Sequence, residues 1–179
     1  MYKITLDKED FLRYQLFTAS KSKRIKSKRI RTWILLTISF LVIGLALRQN
    51  ADGFLSYYFI GFSIITLIFY PFYQRRKYKK HYEKHIQENY QNRIGIESEL
   101  GFEDGYIVNI SDNQEGRIKI TEIQEINEIG DNLFIKVKTG ESVIIPSRFQ
   151  EFDTLKEELS GLITPNNISW IKQLDWKWK

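Results

Sequence analysis

Few side chains in this 179-residue sequence combine a type and a spacing that could do chemistry. The only histidines, His81 and His85, stand four apart in HYEKH. On a helix that spacing places both rings on one side, where they could fill two positions around a metal ion. The intervening Glu83 is displaced by one position from the metalloprotease pattern HExxH, so its carboxylate points elsewhere, and no third ligand lies nearby in sequence. Glu103 and Asp104 are the other acid–base candidates, but they precede Gly105 between two apolar runs, where such residues make turns. There is no cysteine, which removes disulfides, thiolate nucleophiles and Cys-based metal sites. The sequence therefore assigns no catalytic, cofactor-binding or metal-binding residue and reads as a non-enzymatic protein. A membrane-bound metal-dependent enzyme built on the His81/His85 pair is the least favoured alternative.

The elements that position everything else are two apolar runs, TWILLTISFLVIGLAL (32–47) and FLSYYFIGFSIITLIFYPF (54–72), separated by RQNADG. The second is long enough to cross a bilayer as a helix, about 28 Å for 19 residues. The first is shorter and reaches that length if Arg29 and Arg31 extend their charged ends to the headgroups. Neither run keeps the polar face of a soluble core helix. The short break makes them antiparallel neighbours, a transmembrane helical hairpin over 32–72. Trp33 and Tyr73 sit at its ends, where amphipathic rings prefer the interface, together with Arg29, Arg31, Arg75 and Arg76.

Charge orients the hairpin. Seven Lys and Arg and no acid occupy 21–31, and Arg75, Arg76, Lys77, Lys79 and Lys80 follow the second run. The break carries only Arg48 against Asp52. The excess of cations places both termini in the cytoplasm, as a multi-pass protein of the inner (plasma) membrane. The same bias accounts for the basic composition without nucleic acid, because cations beside a membrane helix set topology and attract anionic lipid. The chain's +5 hides a split: residues 1–92 carry +11 and residues 93–179 carry −6. An acidic soluble half is a poor binder of nucleic acid, and a protein partner or a second copy of the chain is expected instead.

Taken in order, 1–31 reads as a strand (Tyr2–Leu6) and a helix capped by Asp7 and Asp10, running through a basic segment into the first apolar run. The pattern after Phe72 continues as a stalk helix over 73–92, with Tyr78, Tyr82, Ile86 and Tyr90 on one slowly drifting stripe. From Ile94 the period becomes two. A strand to Phe102, a turn at Glu103–Gly105, a return over Tyr106–Ile110, a polar turn over 111–116 and further strands ending at Pro146 predict an antiparallel meander. Ile123, Ile126 and Ile129, three apart, fit either an irregular strand or one helical turn. Phe149–Ile163 reads as an amphipathic closing helix with Phe149, Phe152, Leu155, Leu159 and Leu162 on its apolar face. The fold class is thus α+β: a membrane hairpin plus a small antiparallel β module (93–165) closed by a helix. In the Trp/Lys-rich tail (166–179), Trp170, Trp176 and Trp178 either rest at the membrane interface or cap the module. With Phe149 and Phe152 they are the candidate partner-binding residues.

The stretch GFEDGYIVNIS, followed by GRIKITEIQEINEIGDNLFIKVKTGESVIIPSRFQEFDTLKEEL, together with this layout, resembles the YcxB-like family of bacterial membrane proteins. The match rests on Ile123–Glu128, Leu133–Val137, and Ile145-Pro146 followed by Phe149. The resemblance implies a PH-like or related β module on a membrane hairpin and carries no catalytic residue. The expected function is a cytoplasmic protein- or peptide-interaction module on a membrane anchor. The alternative is a homo-oligomeric regulator or assembly factor acting through the hairpin, with Gly44 and Gly61 allowing close helix approach.

Overall fold

The computed structural model describes residues 1–50, 53–111 and 114–179. Ala51 and Asp52 of the break between the apolar runs, and Asp112 and Asn113 of the polar turn, lie outside the described residues. The chain divides into two compact units, Met1–Tyr14 with His85–Lys177, and Gln15–Lys84 with Trp178–Lys179.

In the first unit, Tyr2–Thr5 forms β1, pairing antiparallel with β2 (Glu97–Glu103), which pairs with β3 (Tyr106–Ser111) and then β4 (Gln114–Lys119). The β2–β3 connection is a two-residue turn in which Asp104 and Gly105 both have positive φ, 49° and 81°. Asp-Gly in that conformation matches the twist of the flanking strands. Glu115 and Gly116, expected in the polar turn, belong to β4 and pair with Ile110 and Asn109.

The second sheet runs β7-β6-β5-β8, with β5 Ile123–Ile129, β6 Asn132–Val137, β7 Ser142–Pro146 and β8 Ser169–Lys172. The triplet spacing of Ile123, Ile126 and Ile129 resolves as a strand whose register shifts between Ile123 and Glu125. The bulge re-aims Ile123, and all three isoleucines are buried. Two expectations are corrected. The module is not wholly antiparallel: β8, from the tail, pairs parallel to β5, with Ile126 opposite Trp170. The closing helix α4 is Phe152–Ile163, three residues shorter at its start, so Phe149 sits in the preceding turn.

The core lies between the sheets and α4. Ile4, Leu100 and Ile107 come from the first sheet, Ile126, Leu133, Ile135 and Ile145 from the second, and Leu155, Leu159 and Ile163 from α4. The last three recur every four residues and are at most 5% exposed, whereas Leu162 is only half-buried. Each contributes about 1.5–3 kcal/mol of burial.

The opposite face of the second sheet meets the start of α1 (Lys8–Lys21). Tyr14 packs edge-to-face on Phe134, ring centroids 5.4 Å apart. That start carries the expected reciprocal cap: the Glu9 and Asp10 amides donate to Asp7 Oδ1 at 2.8 and 3.0 Å, and the Asp7 amide donates to Asp10 Oδ2 at 2.8 Å.

In the second unit the helix does not continue unbroken into the apolar run. The Ser22 amide donates to Thr18 O and Ala19 O, ending α1, and its Oγ accepts from the Ile25 amide at 3.3 Å, capping α2 (Lys23–Asn50). The second apolar run and the stalk form one helix, α3 (Gly53–Asn89), with Pro71 inside it. Helices α2 and α3 are both long and apolar enough to cross a membrane. They pack on each other through small and polar residues. Ser56 Oγ donates to Gly44 O at 2.8 Å and Ser63 Oγ to Thr37 O at 3.1 Å, while Phe40 packs on Phe59 and Phe62.

Candidate functional site

The structure gathers three of the five candidate partner-binding residues. Phe149 packs between Tyr2 and Phe152, with edge-to-face centroid distances of 6.2 and 5.9 Å. Lys156, one turn along α4, lies 5.9 Å from the ring centres of both Phe152 and Trp170. Its Nζ donates to Glu128 Oε1, and Trp170 Nε1 donates to Glu128 Oε2 at 3.0 Å. The result is a continuous strip, Tyr2–Phe149–Phe152–Lys156–Trp170, running from β1 across α4 to β8. Its aromatic members are half-buried: each lays one surface on the core and leaves the other outward.

Electrostatics fix the strip at both ends. Burial pushes the Glu128 carboxyl up, but the hydrogen bonds from Lys156 and Trp170 and the charges of Lys156 and Lys172 outweigh it and hold the group below the usual carboxylate range. Glu128 is therefore an anion that orients a lysine and an indole. At the other end Tyr2 donates to Glu158 Oε2 at 2.7 Å. That bond first, then burial and the Glu158 charge, push the phenol up to about 12. The arrangement offers apolar contact area, an ordered cation and a fixed anion, but no nucleophile next to a base.

The other two tail tryptophans are elsewhere. Trp176 is half-buried and its amide donates to Gln173 O at 3.1 Å. Trp178 belongs to the helical unit and is 7% exposed, so it presents no surface to a partner. Its Nε1 donates to Arg75 O at 3.1 Å, and Arg29 sits over its ring at 4.8 Å and over Tyr78 at 5.5 Å. Arg29 also donates from Nη2 to Lys179 O at 2.9 Å, and its own carbonyl accepts from Gln74 Nε2 at 3.1 Å. This cation–π stack joins residues about 150 positions apart, and no local sequence signal could have found it.

Of the remaining interface candidates, Arg31, Tyr73, Arg75 and Arg76 are exposed, and Trp33 is half-buried. Lys77 lies 5.8 Å from the Tyr73 ring centre. His81 is exposed, with its ring edge-to-face on Tyr82, and His85 Nδ1 is paired with Asn89 at 3.0 Å. Among the described residues no three His, Asp or Glu side chains are grouped to hold a metal ion.

Fold and strip together define a class: a small two-sheet module closed by a helix, in a chain that also carries two long apolar helices. Residues 102–159, from the end of β2 into α4, match the family model described as YcxB-like protein, so this segment is similar to that family. The matched segment contains Phe149, Phe152, Lys156 and Glu128 but neither β1 nor β8. No curated protein and no solved structure matches the chain.

Proposed function

We propose that this is a non-enzymatic membrane protein in which α2 and α3 form a transmembrane hairpin with both termini on the cytoplasmic side of the inner membrane. In this reading the YcxB-like module is a PH-like two-sheet fold that binds a protein or peptide. The observation that carries the binding role is the strip itself. Aromatic anchors flanked by an ordered Lys156–Glu128 pair are the composition of an interaction hot spot, where rings fill pockets on the partner and the charges fix register. The anchoring role rests on the apolar, largely uncovered surfaces of α2 and α3 and on the cations at their outer ends.

A photoreactive phenylalanine analogue at position 152 of the full chain, activated in native membranes, tests the binding role. A discrete adduct with a different protein is expected from position 152, absent when the analogue replaces exposed Glu141 and reduced at least fivefold by Phe149→Ala. Identical adducts from both positions, or adducts only with the chain itself, would remove the role.

A homo-oligomeric regulator acting through the hairpin is the second reading. It is favoured by Gly61, where an added Cβ would meet nothing within 4 Å. The other glycine of that idea, Gly44, is already used between α2 and α3.

A further inference from the structure

An open groove of about 550 Å³ runs along one side of α2, lined by Lys23, Lys26 and Ser27 at one end, by Ile30 and Arg31 in the middle and by Ile34 and Leu35 at the other end. These positions recur every three or four residues as adjacent pairs, a broad stripe on the helix about 18 Å long. Ile30 lies seven residues before Thr37, so the groove borders the stripe of Thr37 and Gly44 that faces α3, while Arg31 lies on the side turned away from it. The sequence holds no Asp or Glu from 11 to 51. Among the described residues no carboxylate pairs with Lys23, Lys26 or Arg31.

A cationic end with a hydroxyl, continuous with an apolar end, complements one kind of molecule: an amphiphile with a phosphate head and a hydrocarbon tail. We propose that this groove binds an anionic phospholipid, with its phosphate between Lys26, Ser27 and Arg31 and an acyl chain along Ile34 and Leu35. The proposal rests on the hairpin being membrane-inserted, because insertion brings Lys26 and Arg31 to headgroup level while Ile34 meets the acyl chains. Free phosphate would use the cations but leave the apolar half of the groove without a role. Diffuse attraction between a basic segment and an anionic leaflet is general, at about fivefold per cation. A site differs in that it depends on which cations are present, not only on how many.

The test uses the full chain in detergent, with lipid retention read by native mass spectrometry. The probes are phosphatidylglycerol, phosphatidylcholine and sodium phosphate. Lys26→Ala with Arg31→Ala is compared with Arg75→Ala with Arg76→Ala, which removes the same charge at a similar mean distance beyond the second apolar run. Retention of phosphatidylglycerol over phosphatidylcholine is expected, lowered about tenfold by the first pair and no more than twofold by the second. Equal losses from both pairs, equal retention of the two lipids, or displacement of the lipid by millimolar phosphate would overturn it. Partition of each variant into membranes is measured in parallel. A chain that never enters membranes overturns the hairpin reading and the proposal with it. A chain that inserts normally and shows no preference overturns the lipid site alone.

Discussion

Asp10→Ala is expected to lower the stability of the module by about 2–4 kcal/mol, an unfolding midpoint lower by roughly 5–15 °C. Asp10 is 4% exposed and its carboxylate is the hub of a buried network. Oδ1 accepts from Asn132 Nδ2 at 2.8 Å and from Arg148 Nη1 at 2.7 Å, and Oδ2 accepts from Arg148 Nη2 and from the Asp7 amide. Arg148 also donates to Thr5 O at 2.8 Å, and Arg13 donates to Asn132 Oδ1 at 2.7 Å. One carboxylate thus joins the end of β1, the cap of α1, the start of β6 and the turn after β7. Removing it leaves Asn132 short of a partner and Arg148 without its main counter-charge. The guanidinium is 45% exposed and rehydrates, so the expected loss stays below that of a fully buried pair.

The same site sets a pH dependence. Burial pushes Asp10 up, but the hydrogen bonds from Arg148, the Asp7 amide and Asn132, with the Arg148 charge, hold it below the ordinary range. A carboxyl depressed in the folded state contributes stability that is fully present above its unfolded value and is lost as pH falls through the folded one. Asp10 and Glu128 are both of this kind, so the acid loss begins below about pH 4. In thermal unfolding of the full chain in detergent, Asp10→Asn is expected to start less stable and to lose stability less steeply below pH 4. An unchanged slope would show that Asp10 is not a source of the acid sensitivity.

Gly44→Ala is expected to destabilise the helical hairpin by about 1–3 kcal/mol, although alanine is the better helix former. An added Cβ would lie 2.8 Å from Ile60 Cγ1, 3.1 Å from the Ile60 amide nitrogen and 3.2 Å from Ser56 O. Two of those neighbours are backbone, so the helices must separate. Separation also lengthens the Ser56 hydrogen bond to Gly44 O. Gly61→Ala meets nothing within 4 Å and is expected to change stability by less than 0.5 kcal/mol. Unfolding in mixed micelles compares the two. Equal, small effects would mean that α2 and α3 do not approach at Gly44. A change of oligomer size with Gly61→Leu would favour the homo-oligomeric reading.

Local signals were legible in the sequence and distant pairings were not. Asp7 and Asp10 announce the start of α1 because a cap is a contact between near neighbours. Asp104-Gly105 announces a hairpin because only certain residues accept positive φ. The alternation of Leu133, Ile135 and Val137 gives their inward face because a strand has a fixed period. The parallel pairing of β8 with β5 leaves no such mark: SWIK is four residues long, and its partner lies more than 40 positions away. The break at Ser22 was hidden because the basic residues on either side continue a helical pattern. Three of the five aromatic candidates, Phe149, Phe152 and Trp170, do converge. Lys156 and Glu128, which hold the strip together, were missed because an isolated lysine and an isolated glutamate look like ordinary surface residues until the fold makes them neighbours.

Both functional readings depend on where the module lies relative to the membrane, and the lack of cysteine makes that directly measurable. Glu141→Cys places a single thiol on the exposed turn before β7, and Arg48→Cys places one near the end of α2. Each is treated in intact cells, and again after permeabilisation, with a maleimide that does not cross membranes. The expected result is labelling of Arg48→Cys in intact cells and of Glu141→Cys only after permeabilisation. Labelling of Glu141→Cys in intact cells, or of neither residue until lysis with the chain recovered outside the membrane fraction, would contradict a hairpin-anchored cytoplasmic module.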